Sequence, residues 1–265
     1  MATKNKTKKK RKSRNKQNKK VILSLSAAFF IIIIGILIAV FSLNGSRELA
    51  NIDKQVANGI DVSYHNGKID WSKVKEEVDF AFIRVGYRGY DEGLIHLDSK
   101  AQYNLKNANK NNVPVGVYFY SQAINDKEAE EEAEYLISKI KKYDISLPVV
   151  IDFEYPYVNG EPVGRLVEAD LSRKERTSLI NAFCRRIKRA GYTSGVYASS
   201  YIFRGQLNMS KLDDDIMIWV ADYNEKVTYK GEYDFWQYSE KGKCKGVSSK
   251  YVDKNYWYIE KEESD

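Results

Sequence analysis

Between residues 59 and 238 the chain repeats one pattern: a short, nearly all-apolar run, then a longer polar stretch able to wind as a helix. The runs, at 59–63, 80–86, 115–121, 147–154, 195–199, 216–221 and 235–238, are rich in Val, Ile, Phe and Tyr, which suit a pleated surface. Helix-compatible stretches at 71–77, 97–111, 126–142 and 173–190, with a short one near Tyr201, fall between them. Strands that are apolar on both faces need cover on both sides. A parallel sheet flanked by helices supplies it, and a half-solvated sandwich does not. The expected fold is therefore α/β, an irregular TIM-like (β/α) barrel over 59–265. Its last third is expected to be strand-rich, because 216–221 and 235–238 lack a clear helix between them.

Upstream, residues 21–43 carry no charge and include Phe29-Phe30-Ile31-Ile32-Ile33-Ile34. As a helix this segment spans roughly 34 Å, enough to cross a hydrocarbon core of about 30 Å. A cleaved signal peptide is the alternative, but its apolar region is typically about 7 to 15 residues and ends at a small-residue site, which does not follow Leu43. One transmembrane helix is thus expected before the barrel. Eleven Lys and Arg and no acid precede the span, so the positive-inside rule puts the N-terminus in the cytoplasm and the rest outside the cell membrane. Contact of this tail with RNA or anionic lipid is a second reading of the same run. Those eleven charges exceed the whole net charge of +7, so the remainder is slightly acidic and does not read as a nucleic-acid binder. The expected organisation is a basic tail at 1–20, a membrane helix at 21–43, a polar linker at 44–58 and an outer domain at 59–265.

The sharpest chemical signal is Leu147-Pro148-Val149-Val150-Ile151-Asp152-Phe153-Glu154. Alternation along a strand turns Asp152 and Glu154 to one face, about 6.6 Å apart at Cα. Two carboxylates at the end of an apolar strand repel and are partly desolvated, so one holds its proton to higher pH, as a general acid must. Asp61, closing the run Gly59-Ile60-Asp61, and Asp253, in Tyr251-Val252-Asp253-Lys254-Asn255, each read alone as loop-capping acids. Barrel geometry gathers strand ends, however, and can bring them into one cleft. Aromatic residues cluster at the same ends: Tyr118 and Tyr120, Trp219 and Tyr223, and Trp236 and Tyr238 beside Gln237. With acids among them they suit a groove that stacks on sugar rings.

Other chemistries lack their parts. There is no phosphate-binding glycine loop, no dinucleotide fingerprint and no His-Glu-x-x-His, and two His make a multi-His metal site improbable. His65 reads as a solvated loop residue near Asp61. Two Cys are too few for a disulfide scaffold, and pairing of Cys184 with Cys244 is left open. Glu128, Glu130, Glu131, Glu132 and Glu134 suit the first turns of the helix from Asp126 and read as a solvated face.

Taken in order, Gly59-Ile60-Asp61-Val62-Ser63 with Trp71 downstream, Phe82-Ile83-Arg84-Val85-Gly86, Gly116-Val117-Tyr118-Phe119-Tyr120, Asp152-Phe153-Glu154, Gly195-Val196-Tyr197, Trp219-Val220-Ala221 with Tyr223, Trp236-Gln237-Tyr238 and Val252-Asp253-Lys254-Asn255 resemble the glycoside hydrolase family 25 lysozymes, the Chalaropsis-type muramidases. The resemblance covers 59 to about 258. It implies an irregular β/α barrel, needing no cofactor or metal, that hydrolyses the β-1,4 bond between N-acetylmuramic acid and N-acetylglucosamine in peptidoglycan glycan strands. It implies Glu154 as general acid/base, Asp152 as its neighbour, and Asp61 and Asp253 as the remaining acids of the cleft. Arg84, Tyr118, Tyr120, Tyr197, Trp219, Tyr223, Trp236 and Gln237 are the implied substrate contacts. Phe119 departs from the pattern, since many members carry a His in that segment. Two rivals remain: from another class, a membrane-tethered wall-binding module without turnover, and, as a third reading, a barrel glycosidase acting on chitin or another N-acetylated glycan. Two mutually repelling carboxylates count against the pure binder.

Overall fold

The apolar runs close into a barrel in the computed structural model, which describes residues 55–259. The strands are β1 (Gln55–Val62), β2 (Phe80–Arg88), β3 (Ile95–Leu97), β4 (Val115–Ser121), β5 (Val149–Phe153), β6 (Tyr157–Val158), β7 (Glu161–Pro162), β8 (Ser194–Ser199), β9 (Met217–Ala221), β10 (Phe235–Gly242) and β11 (Val252–Ile259). The helices are α1 (Trp71–Val74), α2 (Ala101–Lys110), α3 (Asp126–Ile140), α4 (Arg165–Glu168), α5 (Arg173–Arg189) and α6 (Ser200–Gly205). The main sheet runs β1-β11-β10-β9-β8-β5-β4-β2, and β1 pairs with β2 to close eight strands; β3 extends from β2 outside the ring. The strands β6 and β7 form a separate hairpin.

The parallel barrel expected from the sequence is a mixed one. From β1 through β2, β4, β5, β8, β9 and β10 every barrel pairing is parallel, but β11 runs antiparallel to both β10 and β1. No helix lies between β9, β10 and β11, so the last third is strand-rich as its sequence suggests. Strand β1 starts at Gln55, inside the segment expected as linker. The basic tail, the expected membrane helix and residues 44–54 lie outside the described residues. Among the described residues no helix is long and apolar enough to cross a membrane.

Local sequence explains the main supports. Ser172 and Glu175 form a reciprocal capping box at the start of α5, and Asn125 caps α3 by accepting from the Glu128 backbone N–H. These two helices pack together on the outer face of β4, β5 and β8. Inside the barrel, Phe80, Phe82, Trp219 and Phe235 are sealed from solvent and fill its lower part, with Trp257 packed partly buried against them. Phe82 stacks on Trp219 with ring centroids 4.3 Å apart. Gly116 makes that filling fit, because a Cβ there would run into the Phe82 ring. The apolar plug leaves only the upper mouth of the barrel open for polar side chains.

One further expectation fails, and a pairing that the sequence leaves open is decided. The acidic face of α3 is not simply solvated: Glu132 is fully buried, Glu128 pairs with Arg165 at 2.7 Å, and Glu130, Glu131 and Glu134 each meet an arginine. Helix α5 lies beside α3 and carries Arg186 and Arg189 opposite those acids, while β2 sends Arg88 beneath it. Cys184 and Cys244 are not paired; both are free and buried, Cys184 against the Gly195 carbonyl and Cys244 in the loop after β10.

Candidate active site

The strand ends converge as barrel geometry requires. Asp61 at the end of β1, Asp152 in β5, Glu154 just beyond it and Asp253 in β11 line one cleft of about 670 Å3 at the mouth of the barrel. Arg84, Tyr118, Tyr120, Tyr197, Trp219, Tyr223 and Gln237 line the same cleft. Trp236 does not. Its neighbour Gln237 faces inward, so alternation turns Trp236 to the outside, where its indole Nε1–H donates to the Asp222 carbonyl at 2.7 Å and its ring packs on Tyr238 and Tyr256.

Asp61 is held by amides. Gln237 Nε2 and Asn255 Nδ2 donate to its Oδ2 at 2.9 and 2.8 Å. Gln237 is itself fixed, its Oε1 accepting from the hydroxyls of Tyr197 at 2.9 Å and Tyr223 at 2.7 Å. Asn255 Oδ1 accepts from the Trp219 indole at 2.9 Å. The sequence reading left Asn255 without a role, although it stands two residues from Asp253 on the same strand face, the spacing that relates Asp152 to Glu154. The aromatic residues offered as sugar platforms therefore act in part as struts: Tyr197 and Trp219 are buried and orient the amides that hold Asp61.

The acids are driven toward protonation. Burial pushes Asp61 up, against the pull of Asn255 and Gln237. Asp253, directly across the strand pair from Asp61, is pushed up to about 8 by burial and then by the Asp61 charge. Burial raises Asp152 well above the ordinary carboxylate range, the Glu154 charge adds to it, and Arg84 opposes both. Glu154 is pushed up to about 7 by burial first and the Asp61 charge second, with Arg84 pulling down. Asp152 and Glu154 thus titrate as a linked pair that retains a proton near neutral pH.

The hydrogen bonds leave that pair available. Asp152 Oδ1 is buried with no partner, and among the described residues none donates to the Glu154 carboxylate. The Glu154 backbone is nevertheless fixed, since buried Gln122 donates from Nε2 to its carbonyl at 3.0 Å. Arg84 lies in the cleft wall with Nε bonded to Asp98 at 2.9 Å and Nη2 buried and unpaired. His65 lies at the rim, exposed to solvent as its sequence suggests and with its ring tilted against that of Tyr64, and desolvation lowers its pKa. Among the described residues no cluster of His, Cys, Asp and Glu has the arrangement of a metal site. The arrangement offers a half-buried proton donor, an unpaired acceptor beside it, and a polar, aromatic-walled groove.

Comparison with known proteins agrees with this chemistry. The family described as Glycosyl hydrolases family 25 matches residues 60–247. Lysozyme M1 of Streptomyces globisporus is 28% identical over 221 residues, covering 79% of this chain and 70% of its own length. The modular autolysin LytC of Streptococcus pneumoniae, solved in complex with a synthetic peptidoglycan ligand, has a TM-score of 0.63 at 30% identity, covering 77% of this chain and 47% of that one. A family 25 glycosyl hydrolase from Bacillus anthracis has a TM-score of 0.61 at 27% identity, covering 76% of this chain and 88% of its own. This chain accordingly spans about half the length of the pneumococcal autolysin it matches.

Proposed function

The chain belongs to glycosyl hydrolase family 25, and from that membership we propose that it is a muramidase, hydrolysing the β-1,4 bond between N-acetylmuramic acid and N-acetylglucosamine in peptidoglycan. The observation that carries this reading is the Asp152–Glu154 pair: Asp152 buried and raised well above the carboxylate range, Glu154 half-buried and raised to about 7, both facing a groove with hydrogen-bonding capacity unused. A synthetic peptidoglycan ligand bound to a relative of 30% identity supports the choice of polymer.

In this reading Glu154 protonates the leaving glycosidic oxygen. Ordinary retaining enzymes set acid and nucleophile on opposite sides of the scissile bond, about 5 to 5.5 Å apart, and inverting enzymes set them about 6.5 to 9.5 Å apart. Asp152 and Glu154 stand on one face of one strand and do not straddle a sugar, so the nucleophile is the substrate's own 2-acetamido oxygen. The unpaired Asp152 Oδ1 accepts the acetamido N–H, orients the amide and offsets the positive charge it develops. That hydrogen bond favours the ionised form of Asp152 and leaves the shared proton on Glu154, where it is used. Asp61, clamped by Gln237 and Asn255, and Asp253 shape the electrostatics of the same face. The β-anomer is the expected first product; an α-anomer seen first by proton NMR would replace acetamido attack with direct inversion by water.

Residues 21–43 hold the enzyme to the membrane as a single span with a cytoplasmic basic tail, which suits local wall remodelling near the cell that makes it. Extraction of the full-length protein by alkaline carbonate would remove this part of the reading. The activity itself is tested by incubating the protein and its Glu154→Gln variant with peptidoglycan, reducing new ends with borohydride and identifying them by mass spectrometry. Reduced muramic acid from the parent alone is the expected result. Sedimentation with the wall without new ends would make the protein a tethered binder.

A further inference from the structure

Among the described residues Arg84 is the only lysine or arginine lining a cleft that also holds Asp61, Asp152, Glu154, Glu240 and Asp253. A cation so placed would ordinarily be drawn onto the nearest carboxylates and quench them. Its Nε instead donates to Asp98 Oδ2 at 2.9 Å, and Asp98 is a fully buried carboxylate behind the cleft wall. Asp98 cannot follow the arginine, because its Oδ2 also accepts the Tyr64 backbone N–H at 3.0 Å and its Oδ1 accepts that of Lys100 at 2.8 Å. The guanidinium lies over the rings of Tyr64 and Tyr87, 5.1 and 5.4 Å from their centroids. Strand β2 shifts register against β4 between Arg84 and Gly86, an irregularity of the kind that re-aims side chains at barrel rims. Held in this way, Nη2 is buried with no partner among the described residues, a state that calls for a ligand acceptor.

We propose that Asp98 is a positioning residue that holds Arg84 off the Asp152–Glu154 pair and leaves Nη2 to donate to an oxygen of the sugar bound beside that pair. The inference rests on reading the cleft as a glycan-hydrolysing site. The charged and titratable groups around Arg84 are Asp98 after β3, Tyr118 and Tyr120 on β4, Asp152 on β5 and Glu154 just beyond it, Tyr64 and His65 in the turn after β1, and Tyr87 on its own strand. With the hold at Nε weakened, the guanidinium moves toward Asp152. It then favours the ionised form of both acids, so Glu154 gives up its proton at lower pH, and Nη2 leaves the sugar.

The test is Asp98→Asn in the full-length protein, assayed on peptidoglycan with and without Arg84→Met. The expected result is a fall in kcat of roughly tenfold or more with a smaller change in KM. The basic limb of the kcat/KM profile should move to lower pH by about half a unit or more. In the Arg84→Met background Asp98→Asn should add less than about a twofold loss, because its effect acts through Arg84. Equal losses in both backgrounds, or an unmoved basic limb, would overturn the proposal and leave Asp98 a residue of the fold alone. Should Asp98→Asn not fold, Arg84→Lys carries the test: lysine keeps the charge but has a single nitrogen, so it cannot be held at one atom while donating from another, and undiminished kcat would refute the idea. A parent protein that opens no glycan bond refutes the hydrolase reading and this inference with it, whereas an active parent indifferent to Asp98→Asn refutes this inference only.

Discussion

Two glutamates, Glu132 sealed beneath the outer helix α3 and Glu154 half-buried at the barrel mouth, are both pushed up to about 7, and lost solvation is the largest cause for each. Their surroundings differ. Glu132 Oε1 accepts from Arg88 Nε at 2.7 Å and its Oε2 from the Ser121 hydroxyl at 2.6 Å, so both oxygens are engaged and the group is sealed. Glu154 has no donor among the described residues, borders an acid with an unpaired oxygen, and faces a cavity. The contrast teaches that a displaced pKa reports burial. Unused hydrogen-bonding capacity facing space for a ligand is what separates a reactive carboxylate from a structural one.

Exchanging roles would break this comparison most sharply. Glu154→Gln is expected to lower kcat by about 10³-fold or more, the upper range for a general acid, while leaving Tm unchanged or slightly raised, because a poorly solvated acid is removed and no hydrogen bond is lost. Steady-state kinetics on soluble glycan fragments beside calorimetry reads both quantities, and a variant that keeps its kcat would return Glu154 to the structural class. Glu132→Ala is the converse. It takes from Arg88 its buried carboxylate and leaves it the exposed Glu131 and the Gly93 and Glu128 carbonyls, which should cost less than the roughly 3 to 5 kcal/mol of a fully unpaired buried charge, a fall in Tm of about 5 °C for a domain of this size. The kcat of the folded fraction should stay within severalfold; a stable but inactive Glu132→Ala would erase the distinction.

That distinction was only half legible in the sequence. Asp152 and Glu154 announced themselves by their spacing on an apolar strand, and β4 was found with its ends correct because Val115–Ser121 is apolar on both faces. Strand β11 was missed: Val252–Ile259 interleaves Asp, Lys, Asn and aromatic residues, a pattern that suits a loop until one sees that Asp253 and Asn255 point into the mouth while Tyr256 and Tyr258 ring the outside. The Glu-rich start of α3 read as solvated because nothing local to it reveals Arg88, 44 residues away, or Arg165 beyond the β6–β7 hairpin. Asp98 was invisible for the same reason, since its partner Arg84 meets it only once β3 folds back on β2. Periodicity is a local property, and the neutralisation of a buried charge is not.

The shared shift itself predicts pH behaviour that sharpens the comparison. A general acid near pKa 7 must be protonated to act, so kcat/KM should fall about tenfold per unit on the alkaline side of that value. Stability follows the same protons. Between the ordinary value of 4.5 and about 7, folded Glu132 and Glu154 retain protons that the unfolded chain releases, so stability is fullest below 4.5 for these groups and is lost as pH rises through 7. Denaturation at several pH values should show that slope, and Glu154→Gln should flatten it without touching the Glu132 contribution. A stability rising across this window would mean that both groups are ionised in the fold.

The smallest effect is expected at Trp236, which stands beside Gln237 in sequence yet on the opposite side of the barrel wall. Gln237 ties Tyr197 and Tyr223 to Asp61, whereas Trp236 donates to the Asp222 carbonyl and packs among Tyr238 and Tyr256. Trp236→Phe keeps the ring contact and gives up one hydrogen bond, typically worth about 0.5 to 1.5 kcal/mol, so Tm should fall by a few degrees and kcat/KM should change by less than about twofold. Gln237→Leu, one residue on, releases Asp61 from one of its two amide donors and should lower kcat/KM well beyond that. If the two substitutions had equal effects on turnover, the separation of outer wall from cleft drawn here by strand alternation would fail at its most finely resolved point.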